Sequence, residues 1–384
     1  MSYRILVWGA SYNPGGIERF LVNYIKHFNH KKIIVDFVNT DRRPLAFSDQ
    51  MKSWNSKIFQ LIVPSKRKHI ILYYRKFDSF FKKYSKNYDC MWFNLIDLSN
   101  ITAVKYAHKY GVPKIIVHSH NSKYMSSLNS IGGIEGYIKH KLNKKLIDNY
   151  ATDFWSCSPS ATDWMFPNDL KSKVKIINNA IEPKLYMVNV EKRNSIRKKY
   201  HLSDDIIVLG NVGRLQLQKN QIFALKVMSE LVKMNTKIKL IFVGDGPDKK
   251  KLLQKTNELS LKNNVIFVGK QMDMQAWYST FDYFLLPSLF EGLSVASIEA
   301  QANGLPIFAS SNIIPKNSII NSNIDLISLS YSPKYWADKI LRKINSNFTR
   351  ENELQIKQNF EVSSFDIDIE SQKLQKNFLS SKSR

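Results

Sequence analysis

Short apolar runs rich in Val, Ile, Leu and Phe alternate along the chain with stretches in which apolar residues return every three or four positions. The runs are too short for helices and show no polar alternation, so they read as strands buried on both faces, and the stretches between them read as amphipathic helices. In the first half this places strands over 4–8, 33–38, 89–93, 114–118, 153–157 and 174–177, with helices over 16–28, 67–86, 98–110, 137–150 and 159–165. A polar, charged stretch over 182–205 interrupts the pattern. It resumes with strands over 206–211, 239–243, 264–268, 283–287 and 306–310 and helices over 221–234, 248–259, 272–279, 294–302 and 333–345. Strand and helix repeated in this way build parallel sheets from βαβ units. The 384 residues exceed what one ordinary core holds. The expected fold is α/β, two doubly wound domains facing a cleft: 1–185, a linker over 186–205, a second domain over 206–349, and a helical tail over 350–384 that packs back on the domains.

Chemistry is concentrated at the carboxyl ends of the predicted strands, where open α/β sheets bind ligands. The run SLFEGLSVASIEA over 288–300 sets Glu291 and Glu299 eight positions apart around Gly292, where a strand ends and a helix starts. Unpaired N–H groups at such a helix start suit the phosphates of a nucleotide. Glu299, one to two turns in, is placed to accept hydrogen bonds from a ribose diol, and Glu291 to face a second polyol. Two glutamates near a helix start also favour the macrodipole with no ligand at all. In the same half, Gly213-Arg214 leads to Lys219 before the next helix. Glycine lets the backbone approach a ligand, Arg214 offers a fork for a phosphate and Lys219 a point charge. Gly244-Asp245-Gly246-Pro247 is turn chemistry at another strand-to-helix corner.

In the first half, Gly15-Gly16 with Glu18 follows the first strand and starts a helix, without the spacing of a dinucleotide fingerprint. His118 closes the strand over 114–118 and is followed by Ser119 and His120. A histidine there can hydrogen-bond a sugar hydroxyl or a developing charge, and His118 is preferred to His120.

Composition adds three constraints. No apolar run approaches the ~18 residues needed to span a bilayer, and the amino-terminal run lacks the form of a signal peptide, which predicts a cytoplasmic protein. Cys90 and Cys157 lie in strand-like runs and read as buried free thiols. The formal net charge of +25 predicts an anionic partner. No RNA-binding signature with interleaved aromatics and no metal-ligand spacing of Cys and His is present, so nucleic acid is not the expected partner. The stretch 67–86 interleaves Ile70, Tyr73, Phe77, Phe80, Phe81 and Tyr84 with lysines and arginines, and 137–145 is a second basic amphipathic stretch. Both fit a helix lying on an anionic membrane, and both fit a cationic surface helix of an α/β domain.

As a set, the motifs resemble the retaining glycosyltransferases of the GT-B fold, family four, of the exopolysaccharide and capsular polysaccharide type. The resemblance covers nearly the whole chain and is most specific from Ser288 through Glu299 to Pro306, the two-glutamate motif. It implies two Rossmann-like domains, the first binding the acceptor and the second the donor. Arg214 and Lys219 would hold the donor's diphosphate, Glu299 its ribose, and Glu291 with the Gly292 and Leu293 amides the transferred sugar. His118 would contact that sugar, and the Gly15-Gly16 loop would border diphosphate and acceptor. Glu291, His118, Arg214 and Lys219 are then the catalytic set. The implied activity is metal-independent transfer of a hexose-type sugar from a nucleotide diphosphate donor, a UDP-sugar favoured, to a lipid-linked or growing glycan. No cofactor is implied. The enzyme would act at the inner face of the cell membrane, as a peripheral protein on an anionic surface. A soluble or wall-polymer acceptor is the alternative within enzymes, and a non-catalytic scaffolding module the alternative outside them. The chain departs from the family at Asn179-Ala180-Ile181-Glu182, where Asn-Gly-Ile-Asp is common, and over 312–316, which lacks a glycine-rich turn.

Overall fold

The structure, a computed structural model, describes residues 2–124, 130–234, 237–291, 293–311, 313–346 and 348–379. The chain forms two compact units, one running to Ala180 and resuming at Ile367, the other spanning Ile181–Asp366.

The first unit is built on β1 (Tyr3–Trp8), β2 (Ile33–Asn39), β3 (Ile58–Gln60), β4 (Cys90–Leu95), β5 (Lys114–Ser119), β6 (Asp153–Ser156) and β7 (Lys175–Ile176). They lie in the order β3-β2-β1-β4-β5-β6-β7, and each neighbouring pair is parallel. Helices α1 (Gly16–Ile25), α2 (Ser48–Ser53), α3 (Ile70–Tyr84), α4 (Thr102–Lys109), α5 (Ile131–Lys144) and α6 (Pro159–Met165) connect them. The period-two geometry of a strand explains the unbroken apolar runs. Ile5 and Val7 of β1, with Cys90 and Trp92 of β4, enter one core, while Leu6, Met91 and Phe93 enter another. The basic aromatic stretch resolves differently from a membrane helix: Tyr73, Phe77, Phe80 and Phe81 of α3 are buried in the second of these cores, stacked around Trp8 and Tyr106.

The second unit repeats the plan with β8 (Ile207–Val212), β9 (Ile238–Val243), β10 (Val265–Gly269), β11 (Tyr283–Leu286), β12 (Ile307–Ser310) and β13 (Ile324–Ile327), in the parallel order β10-β9-β8-β11-β12-β13. Its helices are α7 (Val190–Lys199), α8 (Gln221–Met234), α9 (Lys249–Glu258), α10 (Met274–Thr280), α11 (Val295–Ala302), α12 (Pro333–Asn345) and α13 (Glu353–Val362). In both sheets the chain reverses its direction of winding beside the first strand, at β1/β4 and at β8/β11. A doubly wound sheet opens a crevice at such a point.

Three boundaries differ from the sequence reading. The chain leaves the first unit at Ala180, not 185. The expected linker over 186–205 contains α7, capped by the Asn189 side chain, which accepts from the Lys192 amide at 2.9 Å. Arg193 and Arg197 of α7 donate to the carbonyls of Ser279 and Thr280, respectively, and to the Asp282 carboxylate, so this helix docks through guanidinium groups and carries almost no apolar signal. The expected tail is divided: α13 belongs to the second unit, and α14 (Ile367–Leu379) returns to the first, where Ile367, Leu374 and Phe378 complete a core. Among the described residues no helix is long and apolar enough to cross a membrane.

Candidate active site

Two loops flank the β8/β11 reversal. The loop after β8 begins at Gly213, whose φ of +150° suits glycine, and a Cβ there would meet the Lys219 side chain at 3.1 Å. It is held from below by the Gly244–Gly246 turn. The Gly213 amide donates to the Val243 carbonyl at 2.9 Å and the Leu215 amide to the Asp245 carbonyl at 3.1 Å. A Cβ on Gly244 would sit 2.0 Å from the Gly213 carbonyl oxygen and one on Gly246 2.2 Å from that of Leu215. Both glycines are therefore required by the close approach of two backbones, which makes this turn a support for the loop that carries Arg214 and Lys219.

The second loop follows β11 and is stitched to the first. The Leu289 amide donates to the Gln218 carbonyl at 2.8 Å, the Gln218 amide group to the Phe290 carbonyl at 3.0 Å, and the Asn220 side chain to the Pro287 carbonyl at 3.1 Å. These bonds bring Lys219 and Glu291 together, with Nζ 2.7 Å from Oε1 and side chains only 14% and 5% exposed. Arg214 is exposed, and its guanidinium finds no acceptor among the described residues. The helix that follows, α11, is capped by the Ser294 hydroxyl, which accepts from the Ser297 amide, and the Leu293 amide ahead of it has no acceptor among the described residues. Gly292 lies outside the described residues. The two joined loops thus carry a cation with no acceptor among the described residues, a cation shared with a carboxylate and an amide likewise without an acceptor, groups suited to a diphosphate bearing a polyol.

Glu299 occupies a different environment from the one its position suggested. It lies on α11, is 2% exposed, and accepts from the Tyr186 hydroxyl at 3.0 Å and the Tyr278 hydroxyl at 2.7 Å. Both of its oxygens are engaged by phenols, so a ribose reaches it only by displacing or sharing one of them.

The other predicted residues lie in the first unit. Gly15 caps α1, and Gly16 is its first residue. The turn before them is organised by buried Glu18: its Oε1 accepts from the amide and hydroxyl of Ser11, both at 2.8 Å, and its Oε2 from the Gly15 amide at 2.9 Å. At the β1/β4 reversal a Cβ on Gly9 (φ +103°) would lie 2.0 Å from the Asn94 carbonyl oxygen. The two histidines divide. His118 is fully buried among Phe20, Trp92 and Trp155, has no polar partner among the described residues, and is held neutral because burial pushes its pKa well below the usual value. His120 is partly exposed, and its Nε2 lies 2.8 Å from the Asn94 Oδ1. The Asn94 amide nitrogen is directed to the Trp8 and Trp92 carbonyls, which leaves Oδ1 as acceptor and Nε2 as the protonated nitrogen of His120. Burial lowers the His120 pKa to about 3, so its Nδ1 lone pair stays available at neutral pH. Of the two, His120 is the one a ligand can touch.

Residues 192–360 match the family model of the glycosyl transferases group 1, and the segment holds the whole Arg214, Lys219, Glu291 and Glu299 set. Over 342 residues the chain is 26% identical to EpsF of Bacillus subtilis (strain 168), named as a glycosyltransferase, covering 88% of this chain and 87% of that one. That segment is similar to the glycosyl transferases group 1, and the chain has the GT-B fold. Among solved structures, Anabaena HepE in complex with UDP and glucose has the same fold, with a TM-score of 0.75 at 17% identity, over 98% of this chain and all of the other. An Escherichia coli UDP-Gal:alpha-D-GlcNAc-diphosphoundecaprenol alpha-1,3-galactosyltransferase is 30% identical over 158 residues, 40% of each chain.

Three of these contacting residues, one in the first unit and two in the second, carry no sequence signal of their own. Asn94 ends an apolar strand, and Tyr186 and Tyr278 are distant from Glu299 in sequence; only their hydrogen bonds single them out. Among the described residues no group of three or more His, Cys, Asp or Glu stands close enough to hold a metal ion.

Proposed function

We propose that the protein is a retaining hexosyltransferase that moves a sugar from a nucleoside diphosphate sugar, UDP-linked by preference, to a lipid-linked or growing glycan in exopolysaccharide or capsule assembly. The observation that carries the reading is the Lys219–Glu291 pair at the carboxyl ends of β8 and β11, with the unpaired Arg214 guanidinium on the same loop. A UDP and glucose complex of HepE, the acceptor named for the Escherichia coli galactosyltransferase, and the capsular polysaccharide biosynthesis glycosyltransferases CapH and CapM of Staphylococcus aureus support donor, acceptor and pathway.

In this reading Arg214, Lys219 and the Leu293 amide bind the diphosphate and stabilise the charge that grows on it as the anomeric C–O bond breaks. The acceptor hydroxyl forms the new C–O bond on the face the diphosphate leaves, and its proton passes to a departing phosphate oxygen. Glu291 orients the sugar hydroxyls while Lys219 holds its carboxylate in place. Arg214 and Lys219 supply the charge stabilisation, Lys219 held in place by Glu291, so the step asks for no metal. The acceptor's lipid places the enzyme at the cytoplasmic face of an anionic membrane, as a peripheral protein.

The test is transfer of labelled sugar from a panel of UDP- and GDP-sugars to undecaprenyl-diphosphate-linked saccharides, with Glu291→Ala as control. Transfer from one donor that the variant loses by a factor of about 100 or more is the expected result. No transfer from any donor by folded protein, or equal transfer by the variant, overturns the proposal.

A further inference from the structure

Helix α5 packs through one face and carries an apolar stripe on the other. At about 100° per residue, Gly133, Gly136, His140 and Asn143 fall on one side. This side packs inward: His140 is fully buried and accepts the Leu98 amide on Nδ1 at 3.0 Å, the Asn143 side chain donates to the Leu98 carbonyl at 2.7 Å, and His140 stacks on Trp164 at 4.0 Å between centroids. Ile131, Ile134, Ile138 and Leu142 fall within about 80° of arc on the opposite side, and they are 85%, 47%, 53% and 58% exposed. A 3.6-residue apolar stripe on the solvent side of a packed helix leaves about half or more of its area in water in this chain, so folding alone does not account for it.

The charge around the stripe identifies what covers it. Lys139 borders it on one side and Lys141 on the other, and Lys145 follows at its carboxyl end. Its single carboxylate, Glu135, is ion-paired to both Lys139 and Arg67. The Arg67 contact ties the start of α3 to α5, and that start adds Ile70 and Ile71, 55% and 73% exposed, beside the exposed Lys66 and Lys68. Lys144 takes no part, because its ammonium donates to the Asp163 and Trp164 carbonyls. An aliphatic strip framed by lysines is the pattern of a helix seated at the boundary of headgroups and acyl chains in an anionic leaflet. A second copy of the chain would bring the same lysines against one another.

We infer that the exposed face of α5, extended by the first turn of α3, is the surface by which this protein docks on anionic phospholipid. The inference deepens the proposed function, because it names the residues that bring the site to a membrane-borne acceptor, yet vesicle binding is measured without any sugar transfer. The experiment is sedimentation of the full chain with vesicles of phosphatidylcholine containing about 30 mol % phosphatidylglycerol, comparing wild type with Ile134→Gln/Ile138→Gln. A second double variant, Leu253→Gln/Leu354→Gln, removes the same apolar character from exposed positions on α9 and α13. The expected result is a partition coefficient lowered about tenfold or more by the α5 pair and unchanged by the control pair, with wild-type binding weakened by salt and by omission of phosphatidylglycerol. Equal binding by all three proteins overturns the inference. So does binding that ignores lipid charge, or a wild-type dimer in sedimentation velocity that the α5 pair dissociates. Vesicle binding with no transfer from any donor would sink the proposed activity and leave the docking face standing.

Discussion

Replacing Lys219 by Met isolates the ion pair on which the site is built. The ammonium lies 2.7 Å from Glu291 Oε1, and the two side chains are 14% and 5% exposed. At that separation and an effective dielectric constant near 20, the gross attraction is about 6 kcal/mol. Most of it is offset by the cost of withdrawing both charges from water. Removing only the cation leaves that cost on the carboxylate, and such single deletions destabilise by about 3–5 kcal/mol. Glu291 keeps another interaction, which places the expected loss for Lys219→Met near the lower bound, about 3 kcal/mol, or roughly 6–12 °C in the melting transition of a unit this size. Lys219→Met/Glu291→Gln removes both charges and is expected within about 1 kcal/mol of wild type. Differential scanning calorimetry reads both. A single variant within about 2 °C of wild type, or a double variant as unstable as the single, would refute the claim that the pair is a desolvated structural unit.

Gly244→Ala forces a Cβ to within 2.0 Å of the Gly213 carbonyl oxygen at a φ of +140°, so the loop carrying Arg214 must shift; loss of about 2 kcal/mol or more by urea denaturation and a weakened UDP affinity by calorimetry are expected. Tyr186→Phe removes one of the two phenol hydrogen bonds to buried Glu299 and should cost about 1.5–3 kcal/mol in the same denaturation assay. The His140 pKa is lowered to about 4, chiefly by burial, while its Nδ1 accepts the Leu98 amide, so the folded state holds the ring neutral. The unfolded chain binds the proton first as pH falls, so this contribution is intact above about pH 6.5 and is lost progressively down to about pH 4. Urea titrations should show about 2 kcal/mol less stability at pH 5 than at pH 7 from this group, a difference that His140→Gln reduces.

Much of the fold was legible because parallel strands buried on both faces leave unbroken apolar runs: β1, β5, β9 and β11 stand within a residue or two of their expected places. The edge strands β3 and β13 escaped, being short and only partly buried. Helix α7 was taken for a linker because it docks through Arg193 and Arg197, a contact that hydrophobic periodicity does not register. The aromatic residues of α3 suited a membrane face and a core equally well, and only packing against Trp8 decided for the core, while the basic amphipathic stretch over 137–145 showed half of the α5 stripe and the glycines at 132, 133 and 136 hid its start at Ile131 and Ile134. Within the site, the glutamate spacing and the Gly213-Arg214 to Lys219 segment located the loops. That Glu299 is engaged by two tyrosines, and that His120 is the reachable histidine of its pair, depends on contacts between residues far apart in sequence.

The central claim, that the loops after β8 and β11 bind a nucleoside diphosphate through Arg214 and Lys219, is tested most directly by isothermal titration of UDP into the wild-type protein and Arg214→Ala. Arg214 is exposed and has no acceptor among the described residues, so its removal is expected to leave the fold unchanged while deleting a charge-assisted contact of about 1.5–3 kcal/mol. The account predicts UDP binding by the wild type and a dissociation constant about 10- to 100-fold higher in the variant. Equal affinity of the two proteins for UDP would contradict it.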